Sequence, residues 1–361
     1  MALARPLSRP MTARAMPRVL IVDDSAVARA ALARIVADSG RYSLVATCAG
    51  AAQALAVLQQ TDVDLILLDI DMPRTSGLAA MRDLLRDGRG AKILIVSGSA
   101  QDGGAHAIEA LALGAADTLV KPGVKIGATP GAATIGTRFG DVLLAKLDGL
   151  SASDAGVSAG VRSAAAPAFP FDVVAIGAST GGIHALTTVL RAVPASMQRP
   201  IVVTQHLPGS FSTFFAAQLS SVSGRPCDVA DDRMRLLPGR IAIAPGDAHV
   251  VAVSLGDGTG ALRLSREPAA TGNLPSVDPM LSTLAKVYRE RLLAVVLSGM
   301  GRDGADGARD VRAAGGTVLV QDRDSSVVWG MPGAVADAGL AHAIMTPAQI
   351  AGFIVANGSR R

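Results

Sequence analysis

Short apolar runs alternate with longer segments of mixed polarity over the first third of the chain. The longer segments carry apolar residues at helical spacing and predict helices, whereas the short apolar runs predict buried strands. The strands are expected at Arg18–Val22, Ser43–Cys48, Leu65–Leu68, Lys92–Val96 and Asp117–Val120, and the helices at Ala26–Ala37, Ala51–Gln60, Leu78–Arg86, Ala105–Leu113 and Gly136–Leu147. This alternation predicts an α/β domain with a doubly wound, flavodoxin-like, five-stranded parallel sheet.

The alternation restarts after residues 151–170, a stretch of Ala, Ser and Gly with little bulk to bury. Strands are expected at Val173–Ile176, Ile201–Thr204, Arg240–Ile243 and Leu293–Leu297. Two further runs, Val250–Leu255 and Ala261–Arg266, flank Gly256-Asp257-Gly258 and predict an antiparallel hairpin. The second half is therefore expected to be a doubly wound α/β domain with a mixed, mainly parallel sheet and that hairpin.

We divide the 361 residues into a basic N-terminal extension (1–16), a first domain (17–150), an Ala/Ser/Gly-rich linker (151–170) and a second domain (171–358). This length suits two domains that each bury a core. Hydrophobic residues make up 50% of the chain and aromatics only 3%, so both cores must consist mainly of Ala, Val, Leu and Ile.

Composition and charge exclude several classes of protein. No apolar run approaches the ~20 residues of a spanning helix, so membrane insertion is not expected. The net charge of +4 is diffuse, without a basic stripe interleaved with aromatics, which argues against a nucleic-acid partner. Residues 1–16 lack the apolar core of a secretory signal, and Met11 or Met16 could be alternative starts. Cys48 and Cys227 form no CxxC pair, so a reducing, cytoplasmic location is expected.

Polar side chains follow several predicted strands of the first domain. Asp23 and Asp24 follow the first strand, and Asp69 follows the third. Because the carboxyl ends of parallel strands share one edge of the sheet, these carboxylates are expected to meet and to hold a divalent cation, Mg²⁺ being suited to oxygen ligands. Ser97 and Lys121 follow the fourth and fifth strands. A single Asp after a strand is commonly a helix cap, but five polar residues at these strand ends indicate a phosphoryl-accepting site.

This set resembles the receiver domain of two-component response regulators. By that resemblance Asp69 is the phosphoacceptor, and a histidine kinase is the phosphodonor. The metal ligands would be Asp23, Asp24 and Asp69, and the phosphate-sensing residues would be Ser97 and Lys121.

The resemblance has one departure. The position three residues before Lys121, usually aromatic in receivers, is Thr118 here. Signalling through an aromatic rotamer is therefore not expected, and the signal must travel another way.

A tight glycine turn with a serine at its apex opens the second domain. Ser179 lies in Gly177-Ala178-Ser179-Thr180-Gly181-Gly182, between the apolar run Phe171–Ile176 and a helical pattern. A Gly-x-Ser-x-Gly turn at a strand end raises the hydroxyl clear of the sheet and leaves backbone N–H groups beside it. The turn alone has false positives, but it predicts a nucleophile for acyl transfer.

A serine nucleophile needs an imidazole to take its proton and a carboxylate to orient that imidazole. His206 follows the strand Ile201–Thr204, and Asp303 follows the strand Leu293–Leu297, so both are expected on the edge that carries Ser179. The order Ser–His–Asp departs from the Ser–Asp–His order of α/β-hydrolases, so that fold is not expected.

Four other residues compete for these roles. His249 ranks second as a base, and His184 is better explained as a helix-surface or packing residue. Asp306 could replace Asp303. Ser298 is better explained as a strand-end hydroxyl than as a nucleophile.

Several stretches of the second domain resemble the catalytic domain of the chemotaxis protein-glutamate methylesterases, the CheB family. They are Ile176–Gly182, Gln205-His206, Leu236–Asp247, Pro275-Ser276-Val277-Asp278, Ser298–Gly304 and Val327–Gly333. With the receiver-like domain in front, the resemblance covers roughly residues 17–355.

The resemblance implies a reaction and its residues. Ser179 would be the nucleophile, His206 the general base and Asp303 the orienting acid. Thr180 and Met300 would lie beside the reacting carbonyl. The enzyme would hydrolyse γ-glutamyl methyl esters on chemoreceptors, releasing methanol without a cofactor for this step, and members can also deamidate receptor glutamines. The first domain would cover the active site until its Asp is phosphorylated.

Two other classes of function stay open at this point. One is a serine esterase with another acyl substrate, and the other is a phosphorylation-dependent adaptor whose hydrolase half is inactive. The intact Ser179, His206 and Asp303 count against the adaptor, and the lack of a long apolar lid segment counts against a lipase-like enzyme. Only a receptor substrate predicts that activity requires folded receptor helices.

Overall fold

The computed structural model describes residues 16–72, 77–98, 104–122, 132–152 and 169–358, without the side chains of 132–138 and 152. The predicted N-terminal extension lies outside the described residues except for Met16, and so does most of the predicted linker. Two α/β units, which correspond to the two predicted domains, make up the described chain.

The first domain contains the predicted five-stranded parallel sheet, and its strand order is β2-β1-β3-β4-β5. Its strands are β1 (Arg18–Val22), β2 (Ser43–Cys48), β3 (Leu65–Leu68), β4 (Lys92–Ser97) and β5 (Asp117–Val120). Its helices are α1 (Ala26–Asp38), α2 (Ala51–Gln60), α3 (Gly77–Asp87), α4 (Gly104–Leu113) and α5 (Ala132–Ala152). The last helix is longer than predicted and extends two residues into the predicted linker.

The second domain contains a seven-stranded parallel sheet in the order β15-β14-β13-β6-β7-β10-β8. Its strands are β6 (Val173–Ala178), β7 (Ile201–Gln205), β8 (Cys227–Val229), β10 (Ile241–Ile243), β13 (Leu292–Val296), β14 (Thr317–Gln321) and β15 (Ala343–Met345). The α-helices are α6 (Gly182–Ala192), α7 (Ser212–Ser223), α8 (Val277–Tyr288), α9 (Ala305–Ala313), α10 (Met331–Asp337) and α11 (Pro347–Gly358).

The predicted antiparallel hairpin is confirmed, but the expectation of a mixed sheet needs a correction. The hairpin strands β11 (His249–Ser254) and β12 (Gly260–Ser265) join β9 (Met234–Arg235) in a separate three-stranded sheet. The physical reason is packing: buried residues of the hairpin, such as Val250 and Leu262, share an apolar cluster with α8. The Thr283 hydroxyl of α8 also accepts the Ala252 backbone N–H at 2.8 Å. The main sheet is therefore parallel throughout.

Both parallel sheets are covered by helices, so their strands are buried on both faces. All residues of β3 and β6 are buried, which explains why these strands appear in the sequence as continuous apolar runs rather than as alternating patterns. None of the described helices is both long and apolar enough to span a membrane.

The two domains pack against each other through helices. The receiver-like domain presents α4 to α6 and α7 of the second domain. The Phe214 ring lies so close to Gly104 that a Cβ at this position would require the ring to shift. One continuous buried cluster includes Leu111 of α4 and Phe215 of α7, so the contact is apolar at its centre. This packing brings the amino end of β5 next to the Ser179 turn.

Candidate functional site

Ser179 lies at the carboxyl end of β6, in the strand–turn–helix arrangement predicted from the glycine turn. Gly181 has φ +75°, a left-handed conformation that suits glycine, and α6 begins at the next residue. The Ser179 N–H donates to the Ser298 carbonyl at 3.0 Å, and the Gln205 side-chain amide donates to the Ser179 carbonyl at 2.8 Å. The turn is therefore anchored on both sides, and the half-buried side chain is held at the sheet edge.

His206 lies beside Ser179 because their strands are paired. Ala178 of β6 is in register with Gln205 of β7, and the His206 N–H donates to the Ala178 carbonyl at 3.1 Å. The ring nitrogen Nε2 of His206 lies 2.7 Å from Oδ2 of Asp303. A carboxylate accepts, so Nε2 carries a proton in this pair and Nδ1 is left to act as a base.

The Ser179 hydroxyl makes no hydrogen bond to another described residue. Its proton is therefore not committed to a structural partner, while its carbon atoms pack closely against Gly299. Catalytic hydrogen bonds often form only when substrate binds, so this geometry agrees with a nucleophile adjoining a base.

Asp303 is fully buried, yet its environment favours the ionised form. Burial acts to raise the pKa of this carboxyl, but hydrogen bonds from His206 and several other donors outweigh burial and hold the pKa well below its usual range. The other donors are Ser276 Oγ (2.7 Å), Val277 N (2.8 Å), Gly304 N (3.1 Å), Asp278 N (3.3 Å) and Thr271 Oγ1 (3.4 Å). Val277 begins α8, so the carboxylate also faces the positive end of a helix dipole.

The pKa of Asp278 is shifted in the opposite direction, upward. Burial, followed by the charges of the nearby Asp303 and Asp306, raises the pKa of Asp278, although its carboxylate accepts the Gly307 N–H at 2.7 Å. Asp303 accepts more hydrogen bonds than Asp278, and this difference shifts the pKa values of the two carboxyls in opposite directions.

The competing acid and serine candidates have other partners. Asp306 forms an ion pair with Arg309 at 2.7 Å, and it makes no hydrogen bond to His206. Ser298 is fully buried, where its hydroxyl donates to the Thr180 carbonyl at 2.8 Å and accepts the Val328 N–H at 3.0 Å. Ser298 therefore stabilises the backbone of the Ser179 turn through its hydrogen bond to the Thr180 carbonyl.

The competing histidines are also engaged elsewhere. His184 is exposed on α6, and its ring contacts the Ala112 carbonyl of the first domain at 3.2 Å. His249 is buried, and both of its ring nitrogens have backbone partners, the N–H of Ser276 and the carbonyl of Glu267. Neither imidazole is placed to take a proton from Ser179.

Thr180 and Met300 are the residues predicted to lie beside the reacting carbonyl. Thr180 directly follows Ser179, and Met300 directly follows Gly299, which packs against the Ser179 side chain. Their backbone N–H groups donate no hydrogen bond to any residue that the structure describes. Free N–H groups beside a serine hydroxyl can stabilise the negative oxygen of a tetrahedral intermediate. The Met300 side chain packs against Gly149 of α5, so the first domain reaches this point.

The first domain also contacts the turn through hydrogen bonds, which we call the interdomain latch. The Gly181 N–H donates to the Ala116 carbonyl at 2.6 Å, and the Thr180 hydroxyl donates to Asp117 Oδ2 at 2.6 Å. Lys146 of α5 holds the same Asp117 oxygen at 2.7 Å. These first-domain residues were missed in the sequence because only the docking of the domains brings them to the nucleophile.

The predicted acidic pocket is assembled at the carboxyl edge of the first sheet. Carboxylate oxygens of Asp23, Asp24 and Asp69 lie within 4.8 Å of one another. Lys121 Nζ lies 2.6 Å from Asp23 and 2.5 Å from Asp69. The nearer Asp23 oxygen is buried and lacks a well-aligned hydrogen bond despite this proximity. Three carboxylates around one ammonium leave excess negative charge, so the donor set fits Mg²⁺.

The electrostatics of this pocket follow from burial and pairing. Burial raises the pKa of Asp23, although the Lys121 ammonium opposes the shift. Burial acts to lower the pKa of Lys121, but its close contacts with the Asp23 and Asp69 carboxylates outweigh burial and raise it. Ser97 lies at the carboxyl end of β4, and its backbone carbonyl accepts the backbone N–H of Lys121 at 2.8 Å. The two residues predicted to sense the phosphate are therefore neighbours.

Comparisons with known proteins agree with this two-part arrangement. The family model described as CheB methylesterase matches residues 174–354, and that of the response regulator receiver domain matches residues 19–126. A curated relative from Paramagnetospirillum magneticum, named protein-glutamate methylesterase/protein-glutamine glutaminase 1, is 37% identical over 95% of this chain and 97% of its own. A relative from Maricaulis maris, named protein-glutamate methylesterase/protein-glutamine glutaminase, is 36% identical over 95% of this chain and 96% of its own.

A solved structure gives the same picture for the second domain. The CheB methylesterase catalytic domain of Thermotoga maritima superimposes with a TM-score of 0.50 and 34% sequence identity. The match covers 51% of this chain and 97% of that one. The parallel sheet with its antiparallel hairpin is therefore the fold of that domain.

Proposed function

Because the chain belongs to the CheB methylesterase family, we propose that it is a protein-glutamate methylesterase and protein-glutamine glutaminase that acts on chemoreceptors. The observation that carries the proposal is the His206–Asp303 pair at 2.7 Å beside the uncommitted hydroxyl of Ser179. A cytoplasmic location suits a substrate on receptor helices, and neither nucleic acid nor membrane insertion is part of the proposal.

The residues define a chemical sequence. Ser179 Oγ attacks the γ-carbonyl of a glutamyl methyl ester while His206 Nδ1 takes the hydroxyl proton. The N–H groups of Thr180 and Met300 stabilise the oxyanion, and Asp303 stabilises the imidazolium. Methanol leaves with the proton from His206. Water, which gives a proton to His206, then hydrolyses the acyl-enzyme; Ser179 regains its proton, and the receptor is released with a free glutamate side chain. A glutamine side chain passes through the same geometry and releases ammonia, so neither reaction needs a cofactor.

The first domain supplies the regulation in this proposal. Asp69 accepts a phosphoryl group from the histidine kinase of the pathway, and Ser97 and Lys121 contact the phosphoryl oxygens. Asp23, Asp24 and Asp69 would hold Mg²⁺, which supplies positive charge against the transferred phosphoryl group. The low accessibility of Asp69, 5% exposed, means that the phosphoryl group would be enclosed by these residues.

The contacts of the first domain with the Ser179 turn support control of the enzyme through access of the substrate to Ser179. The Met300 side chain packs against Gly149 of the first domain, and the interdomain latch holds Thr180 and Gly181. In this proposal the first domain moves away before a helical substrate reaches Ser179.

The proposal is tested by measuring methanol release from methylated receptor fragments, with and without acetyl phosphate plus Mg²⁺. We expect release that rises with the phosphodonor. Release from small acyl esters but not from receptor fragments would indicate another esterase, and no release from either would indicate an adaptor.

The interdomain latch makes a separate prediction. Asp117→Ala removes the acceptor of the Thr180 hydroxyl and the partner of Lys146. Losing one charge-assisted hydrogen bond of about 1.5–3 kcal/mol between the domains shifts the closed–open equilibrium about tenfold or more. We expect kcat/KM for unstimulated methanol release to rise by about that factor, measured at receptor-fragment concentrations well below KM, since saturating substrate would itself populate the open form.

A matched control separates the latch from a general effect on the first domain. Asp38→Ala removes an exposed Asp–Arg pair on α1, away from the interface. That variant should keep the wild-type rate. A rise in both variants, or in neither, would contradict the assignment of the latch.

A further inference from the structure

His249 is a buried histidine that the proposed mechanism leaves without a role. It begins β11, it is 2% exposed, and both of its ring nitrogens are bonded. Nδ1 accepts the Ser276 backbone N–H at 2.9 Å, and Nε2 lies 2.9 Å from the Glu267 carbonyl oxygen. Nδ1 must be unprotonated because it accepts an N–H, and Nε2 must carry a proton because it faces a carbonyl oxygen. The ring is therefore neutral, with its proton on Nε2.

Ser276 connects this histidine to the carboxylate beside His206. It is the fully buried N-cap of α8, and its hydroxyl donates to Asp303 Oδ1 at 2.7 Å. The next residue, Val277, donates its N–H to Asp303 Oδ2 at 2.8 Å. Both bonds depend on the orientation of the Ser276 backbone, which His249 fixes by accepting the Ser276 N–H at Nδ1.

A continuous run of hydrogen bonds therefore leads from the Glu267 carbonyl through His249 and Ser276 to Asp303, and from there to His206. The first part of this run, Glu267 and His249, belongs to the hairpin region. The last part, Asp303 and His206, lies at the edge of the main sheet. Bonds to a carboxylate are short and strong, so small changes in Ser276 displace Asp303 directly. A second proton on His249 would be on Nδ1, where it would face the Ser276 N–H and replace this hydrogen bond by a contact between two donors.

We propose that His249 and Ser276 are positioning residues for hydrolysis, forming a brace that holds Asp303 where it keeps His206 ready to take the serine proton. The inference rests on the proposed Ser179–His206–Asp303 mechanism. Among the described residues, the ionisable groups adjoining Asp303 are His206 and Asp278, and Asp306 adjoins Asp278. The brace variants leave these groups in place.

Two substitutions of His249 distinguish its two bonds. Asparagine can place an oxygen near the position of Nδ1 and accept the Ser276 N–H, whereas glutamine extends toward Glu267. A misplacement of about 1 Å costs on the order of 10²-fold in rate. We expect His249→Gln to lower kcat about 10- to 100-fold with KM changed by less than about twofold, and His249→Asn to lose less than about fivefold.

The pH profile of Ser276→Ala tests the brace by a second route. With one donor fewer, the Asp303 carboxylate becomes more basic and holds the imidazolium of His206 more strongly. A higher pH is then needed to free the base, so the acid limb of kcat/KM should move upward. A loss of general stability would lower the rate without moving this limb.

Parallel measurements keep the outcomes separate. Retained methanol release in Ser179→Ala would contradict the proposed mechanism itself, whatever the brace variants do. If Ser179→Ala is inactive while folded His249→Gln and Ser276→Ala keep the wild-type kcat and pH profile, the brace is wrong. If these variants do not fold, ¹⁵N NMR of histidines in the full-length wild-type protein decides: a proton on Nε2 of His249 supports the brace, and a proton on Nδ1 overturns it.

Discussion

Replacing Ser179 by alanine is expected to reduce methanol release by at least about 10³-fold without unfolding the protein. Removing the nucleophile of a Ser-His-Asp triad lowers kcat on the order of 10⁶-fold. The N–H groups that stabilise the oxyanion remain in this variant, so a small residual rate is expected. The Ser179 hydroxyl makes no hydrogen bond to a described residue, so its removal should change the melting temperature little. The measurement is methanol release at saturating receptor fragment, together with a thermal melt.

The matched control is Ser254→Ala, an exposed hairpin serine that should keep full activity. A serine-directed sulfonyl fluoride offers a second readout, because it should label the wild-type protein at Ser179 in a form open enough to admit it. Methanol release retained in Ser179→Ala would refute the assignment of the nucleophile. Ser298→Ala would not be a suitable control, since that buried hydroxyl supports the turn.

Local periodicity was sufficient to predict the five strands of the first domain and, in the second domain, β6, β7, β10, β13 and the hairpin. The strands β8, β9, β14 and β15 were missed. β3 begins and ends at the residues predicted, because a strand buried on both faces must be apolar along its whole length. The predicted catalytic side chains follow such strand ends, so their meeting at one edge follows from a parallel sheet.

The parts that could not be predicted depend on contacts between distant segments. Nothing near Asp117 in the sequence indicates that it meets Thr180, since 63 residues and a domain boundary separate them. His249 was weighed as a base because its sequence context shows only an imidazole after a strand. Its actual partners, Ser276 and Glu267, come from α8 and the end of the hairpin. The separate three-stranded sheet was missed for the same reason, because packing on α8 decides where the hairpin lies.

The short strand β5 joins the two functional regions of the first domain. Asp117 and the latch lie at its amino end, and Lys121 follows its carboxyl end, where it pairs with Asp69. Thr118 is buried within the strand in place of the usual aromatic. A phosphoryl group on Asp69 would change the partners of Lys121, and β5 is a direct covalent path from there to Asp117. The strand thus offers a route for the signal that needs no aromatic rotamer.

Asp69→Asn is expected to abolish stimulation by acetyl phosphate while leaving basal methanol release intact. An amide cannot form the acyl phosphate, and Ser179, His206 and Asp303 are untouched by the change. The measurement is the ratio of rates with and without phosphodonor plus Mg²⁺, which should fall to unity. The matched control Asp83→Asn changes an exposed carboxylate on α3 and should keep the wild-type ratio.

The double variant Asp69→Asn/Asp117→Ala tests the order of these events. If phosphorylation acts by releasing the interdomain latch, removing the latch should raise the basal rate even where Asp69 cannot be phosphorylated. The double variant should then match Asp117→Ala alone and be insensitive to the phosphodonor. A double variant that stays at the wild-type basal rate would place the latch outside the signalling path, and equal stimulation in Asp69→Asn would mean that the phosphoacceptor is another residue.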